Sequence, residues 1–233
     1  MSVNRLVVTI QATHQSLQLR LDEATHHAAV RSRPRDAYAR TDAFLAATSR
    51  HLAAVEDVLL KVAAKRLPDG EDRVAEYLRQ AKHLELAITH VKARLYGEVH
   101  AAYRPWPEVW DDLRRELTRH NEHERSLVED LASTLDEPDS DALAEKVYRA
   151  EVKAPTRAHP YIPHTGLAGH LARKLWAVAD RFWDMAEGRM VPAVVRTPPK
   201  EHAHDSLMAQ YLTGEPRLDD TAPMFAHHHR HHH

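Results

Sequence analysis

His120 and Glu124 are the residues whose types and spacing speak most directly of chemistry. They stand one helical turn apart in VWDDLRRELTRHNEHERSLVEDL, Val109 to Leu131. In that stretch Val109, Trp110, Leu113, Leu117, Leu127, Val128 and Leu131 recur at helical spacing and form one apolar face. The pair occupies the middle of the face, where the pattern calls for leucines. A carboxylate on an apolar stripe costs on the order of several kcal/mol unless it is paired or bound to a metal. Imidazole nitrogen and carboxylate oxygen together form a donor set for iron, manganese or zinc. The partner that compensates Glu124 is therefore to be sought on other parts of the chain.

Three other stretches offer donors. His14 lies between Ile10 and Leu17, within a face that also holds Val7 and Leu21. His51 flanks the face made by Phe44, Leu45, Leu52, Val55, Val58, Leu59 and Val62, and Glu56 lies near its other edge. On the third stretch the main stripe is Val74, Tyr77, Ala81, Leu84, Ile88, Val91, Leu95 and Val99, and His83 and His90 fall beside it on a small-residue face. Seven positions apart, or ~10.5 Å along a helix axis, these two histidines cannot both serve one compact centre. His83 keeps the more natural interval to the fourth stretch, with Glu85, Tyr77 or Tyr96 as alternative oxygen donors. A histidine–carboxylate pair from each of two helices, with single histidines from the other two, would hold two metal ions bridged by carboxylates. The expected ligand set is His14, His51, Glu56, His83, His120 and Glu124. The plainer alternative is that His120 and Glu124 form a buried hydrogen-bonded pair. His26, His27, His100, His123, His202 and His204 read as solvated, and the terminal HHHRHHH binds metal adventitiously whatever the core does.

The elements that must position these donors are helices. Apolar periodicity and turn signals place them near 5–30, 37–66, 72–102 and 107–133. RSRPRD, LPDG (67–70) and YRPWP (103–107) separate them, and Pro107 suits a first-turn position. DEPDSD reads as a loop, 141–152 as a short helix and about 167–187 as a further amphipathic helix. The expected fold is all-α: an antiparallel four-helix bundle over 5–134, a helical C-terminal extension over 135–190 packing on it, and a flexible His-rich tail over 191–233.

Composition narrows the function classes. With 233 residues there is room for one large domain or one domain with an appendage. A net charge of -2, from 32 basic and 34 acidic residues, argues against a general nucleic-acid binder. Cysteine is absent, which removes disulfides, thiolate metal sites and cysteine nucleophiles. No apolar run reaches membrane-spanning length and the N-terminal run is too short for a signal peptide, so a cytoplasmic protein is expected. Histidine is the anomaly, at 20 residues.

The order His … His with following acidic residues … His … His-x-x-x-Glu resembles the hemerythrin-like (HHE cation-binding) family of non-haem di-iron four-helix bundles. TIQATHQSLQLRL resembles that family's first helix, with His14 as its histidine. HLAAVEDVLLK resembles the second, and RHNEHERSLVEDL the fourth, with His120 and Glu124 matching His-x-x-x-Glu. The likeness spans about residues 5–134. Two positions depart from it: Val55 stands where the second helix should carry its carboxylate, and the third helix has no inward histidine. The resemblance implies a centre of two non-haem iron ions that binds or processes dioxygen, another small diatomic ligand such as nitric oxide, or peroxide. Two further readings stay open: a bundle similar to the DinB-like transferases, with a single divalent metal, and a metal-free helical interaction protein.

Overall fold

Residues 4–28, 34–95, 104–154 and 191–198 are described by the structure, a computed structural model. Among them are five α-helices and no strand: α1 (Arg5–Ala28), α2 (Pro34–Arg66), α3 (Gly70–Leu95), α4 (Trp106–Ser133) and α5 (Glu137–Lys153). None is long and apolar enough to cross a membrane.

α4 forms where the apolar period is strongest. Pro105 precedes it and Pro107 lies in its first turn, where no intrahelical N–H is needed. The buried face carries Val109, Trp110, Leu113, Leu117, His120, Glu124, Leu127, Val128 and Leu131, as the sequence spacing requires. α1, α2, α3 and α4 pack as successive neighbours in a ring, α4 closing back on α1, while α5 lies against α2 and α1. Leu6, Ile10 and Leu21 of α1, Phe44, Val55 and Leu59 of α2, Leu84 and Ile88 of α3, and Leu113 and Leu131 of α4 belong to one buried cluster, which α5 joins through Leu143, Ala144 and Val147. The all-α bundle expected from the sequence is the fold observed.

Boundaries differ from expectation where capping, not periodicity, decides them. α2 begins at Pro34, three residues before the expected start, because proline's fixed φ suits a first helical position. DEPDSD is a cap and first turn instead of a loop: the Asp136 side chain accepts from the Asp139 N–H at 2.8 Å and Pro138 lies in the first turn, so α5 starts at Glu137. α1 ends at Ala28 and α3 at Leu95, and the rest of their expected spans, 29–30 and 96–102, lies outside the described residues. So does the helix expected at 167–187. The stretch expected as tail opens with residues 191–198, which have no regular structure yet are held by arginines: Arg50 Nη1 donates to Pro192 O at 3.0 Å and Arg5 Nη2 to Thr197 O at 3.0 Å. The compact unit runs through Thr197. An apolar pattern cannot reveal contacts made by guanidinium groups to main-chain carbonyls. Residues 199–233 lie outside the described residues.

The α2–α3 turn holds two neighbouring helices of the ring in register. Leu67 N–H donates to Ala63 O at 3.0 Å, Gly70 N–H to Leu67 O at 3.1 Å, and Asp69 adopts φ 52°, a left-handed conformation that aspartate tolerates better than most residues. Gly70 is needed for close approach: a Cβ there would lie 2.5 Å from Ala63 O and 2.7 Å from Ala64 O. Gly70→Ala is therefore expected to destabilise the protein by about 1–3 kcal/mol, as overpacking against fixed backbone does. A lowered urea midpoint at unchanged m-value would show it, and an unchanged midpoint would mean that the turn relaxes freely.

Candidate metal centre

Glu124 is wholly buried, at 0% exposure, and its two oxygens face two different pairs of donors. Oε1 lies 2.9 Å from His51 Nε2 and 3.4 Å from His14 Nε2. Oε2 accepts a hydrogen bond from the Tyr77 hydroxyl at 3.1 Å and lies 3.2 Å from His120 Nε2. The Tyr77 oxygen is in turn 3.3 Å from His120 Nε2. α1, α2, α3 and α4 thus each contribute at least one side chain around a single carboxylate. The rings pack edge to face, His14 on His51 with centroids 5.3 Å apart and Tyr77 on His120 at 5.0 Å.

The first pair has the arrangement that a cation satisfies. His14 Nε2, His51 Nε2 and Glu124 Oε1 are buried, and none makes a hydrogen bond of acceptable direction despite their proximity. Buried polar atoms left this way are rare, and each calls for a reason. The three residues offer ligand atoms that all lie within 4.8 Å of one another, so the group can hold a metal ion.

Charge inside the cluster is strongly redistributed. Burial would push the Glu124 carboxyl up, yet His51, His14 and His120 together hold it well below the usual carboxylate range. Burial likewise opposes protonation of His51, but Glu124 and then Glu151 outweigh it and raise its pKa to about 10. His14 goes the other way: burial lowers it, only partly offset by Glu124. Burial and the negative charge of Glu124, Glu56 and Glu85 push the Tyr77 phenol well above its ordinary range. The Tyr77 side of the cluster is therefore rich in negative charge.

Of the residues expected from the sequence, His14, His51, His120 and Glu124 come together. Glu56 is buried and acts on Tyr77 by its charge, but lies about 140° round α2 from His51, at 100° per residue. His83 is a correction: it is exposed, as is His90, because each stands one position off the buried stripe of α3. The place expected for it is taken by Tyr77, on that stripe. Glu151 of α5 was not expected at all. It is buried, and the Nδ1–H of His51 donates to its Oε1 at 2.6 Å. A signal was present: Ser140, Leu143, Ala144, Val147 and Glu151 share one buried helical face, so Glu151 interrupts an apolar stripe as Glu124 does.

Comparisons of the chain with protein-family models, with curated proteins and with solved structures give no match. The assignment of the site rests on its geometry.

The shifts set the pH response of the chelator-treated protein. Glu124 titrates lower folded than unfolded, so its contribution is present above its ordinary value of 4.5 and is lost as pH falls below it. His14, also lowered, acts in the same sense below 6.5. His51 is raised, so its contribution is full below 6.5 and is lost as pH climbs from there through about 10. Thermal melts in chelator should show stability falling towards both acid and alkali. A midpoint still rising between pH 7 and 10 would contradict the assignment of charge to His51.

Proposed function

We propose that this chain is a hemerythrin-like non-haem iron protein in which Glu124 bridges two ions, and that the centre binds or processes dioxygen, peroxide or nitric oxide. The observation that carries this reading is the division of one buried carboxylate between two donor sets. His14, His51 and Glu124 Oε1 would hold the first ion. His120, Glu124 Oε2 and the Tyr77 oxygen stand on the other side, and the charges of Glu56 and Glu85 favour a cation there. Nitrogen and oxygen donors without thiolate suit iron in either common oxidation state. Iron held there would supply a redox-active Lewis acid. The chain's own part is to fix the donors on separate helices, to keep bulk water out with the surrounding core, and to present the Tyr77 hydroxyl as a proton donor at Glu124 Oε2.

One observation favours a second reading, a single divalent ion in a DinB-like bundle. Only His14, His51 and Glu124 form a tight group of candidate ligands among the described residues, while Oε2 already accepts from Tyr77. Stoichiometry separates the two. The full chain, with the six histidines at 227–229 and 231–233 replaced by serine to remove adventitious binding, is loaded with ferrous iron without oxygen and then analysed. Two irons per chain and an oxo-bridge absorption band in air support the bridged centre. One ion without that band supports the single-metal site, and no bound metal leaves a helical interaction protein.

Glu124→Ala should abolish iron binding, whereas His123→Ala, at the exposed neighbouring position, should leave it intact. Free iron at a hundredfold excess over Kd should stabilise the unsubstituted protein by about 2.7 kcal/mol for each ion bound and the Glu124 variant by nothing. Thermal melts with and without anaerobic iron read this out. Equal shifts in both proteins would remove Glu124 from the site.

A further inference from the structure

We infer that Glu151, on a helix outside the four-helix ring, is the positioning residue that keeps His51 in the metal-accepting form; this rests on the reading that His51 Nε2 is a ligand. A carboxylate can only accept, so the 2.6 Å contact with Oε1 places a hydrogen on His51 Nδ1. With Nδ1 carrying the hydrogen, the neutral ring has its lone pair on Nε2, the atom that faces Glu124 Oε1 and His14 Nε2. The opposite tautomer would carry its hydrogen on Nε2 instead, 2.9 Å from Glu124 Oε1, and would leave no lone pair there for an ion. When a cation displaces the proton from Nε2, Glu151 thus holds the remaining hydrogen on Nδ1 and leaves Nε2 as the ligand atom.

The position of Glu151 is itself fixed. Arg50, adjacent to His51 on α2 and itself buried, donates from Nε to the main-chain oxygen of Glu151 at 2.8 Å, and from Nη1 to Pro192 O at 3.0 Å. The last turn of α5 is therefore tied to the same turn of α2 that carries the ligand, and residue 192 is tied to it as well. His120 has no comparable support: its Nδ1 is buried without a hydrogen bond. His51 is the ring whose Nδ1 is backed by a carboxylate among the described contacts.

Cobalt(II) is a suitable probe, because its visible bands and its shifted proton resonances report on the ligands themselves. The test uses the full chain with the six terminal histidines replaced by serine, as wild type, Glu151→Ala and Glu151→Gln. Glu151→Ala should bind cobalt 10–100-fold more weakly, the usual loss when such an outer partner is removed. Glu151→Gln keeps the shape and a neutral acceptor but not the charge, so its cobalt affinity should fall between the two. In water the cobalt protein should show a strongly shifted imidazole N–H resonance from His51, which exchange with solvent broadens away in Glu151→Ala. A purely structural role for Glu151 would lower the melting temperature without moving cobalt affinity or that resonance. Equal affinity in wild type and Glu151→Ala overturns the inference alone. Should the alanine variant fail to fold, equal affinity and an unmoved resonance in Glu151→Gln overturn it. A wild type that binds no cobalt overturns both this inference and the metal reading.

Discussion

The structure depends on one buried negative charge. Glu124 has no access to water, and its two oxygens are met by His14, His51, His120 and Tyr77. An unpaired carboxylate at that depth would cost several kcal/mol in order of magnitude, a large share of the stability of an ordinary domain. Each helix of the ring is consequently bound to a particular rotation and height, because its donor must reach the same two atoms. Leucine packing alone tolerates small slips between helices; a carboxylate shared among four helices does not.

The supporting layer follows from that constraint. Bringing His51 to Glu124 buries its second ring nitrogen, which then needs an acceptor, and Glu151 supplies one. Bringing Glu151 inward buries its main-chain oxygen near Arg50, whose guanidinium then reaches residue 192. Hydroxyl residues beside His14 and His51 are satisfied locally. Thr13 Oγ1 donates to Thr9 O at 3.2 Å, and Thr48 and Ser49 bond back to the carbonyls of Phe44 and Leu45 at 3.0 and 2.8 Å. Their hydroxyl hydrogens are thereby kept from the buried imidazole nitrogens.

What can be read from the sequence is whatever departs from a regular apolar stripe. His14, His120 and Glu124 are legible because each stands where a leucine is expected, and the periodicity that exposes them also gives the helices. Tyr77 is legible only as one of three alternative oxygen donors: a tyrosine fits such a stripe as well as a leucine, and its hydroxyl matters only once its neighbours are known. His83 misleads because residue type is weighed above helical face. Glu56 is legible as buried but not in its direction, since five residues turn it well away from His51. Glu151 lies beyond the segment in which the pattern is recognisable, so its interruption of the α5 stripe passes unread. Contacts of Arg5 and Arg50 with residues 192–197 escape because they carry no periodic mark.

The group that meets at Glu124 is drawn from residues 14, 51, 77, 120 and 124, and is backed by residue 151. During synthesis, at ~5–20 residues per second, roughly ten seconds separate the emergence of the first histidine from that of the last carboxylate. Each helix can coil within microseconds of leaving the ribosome, so secondary structure is not what delays the centre. The nascent chain meanwhile holds isolated histidines with no depth of burial and no preferred ion. The buried group is complete only once the last partner has arrived, so its assembly waits on the fifth helix and not merely on the first four.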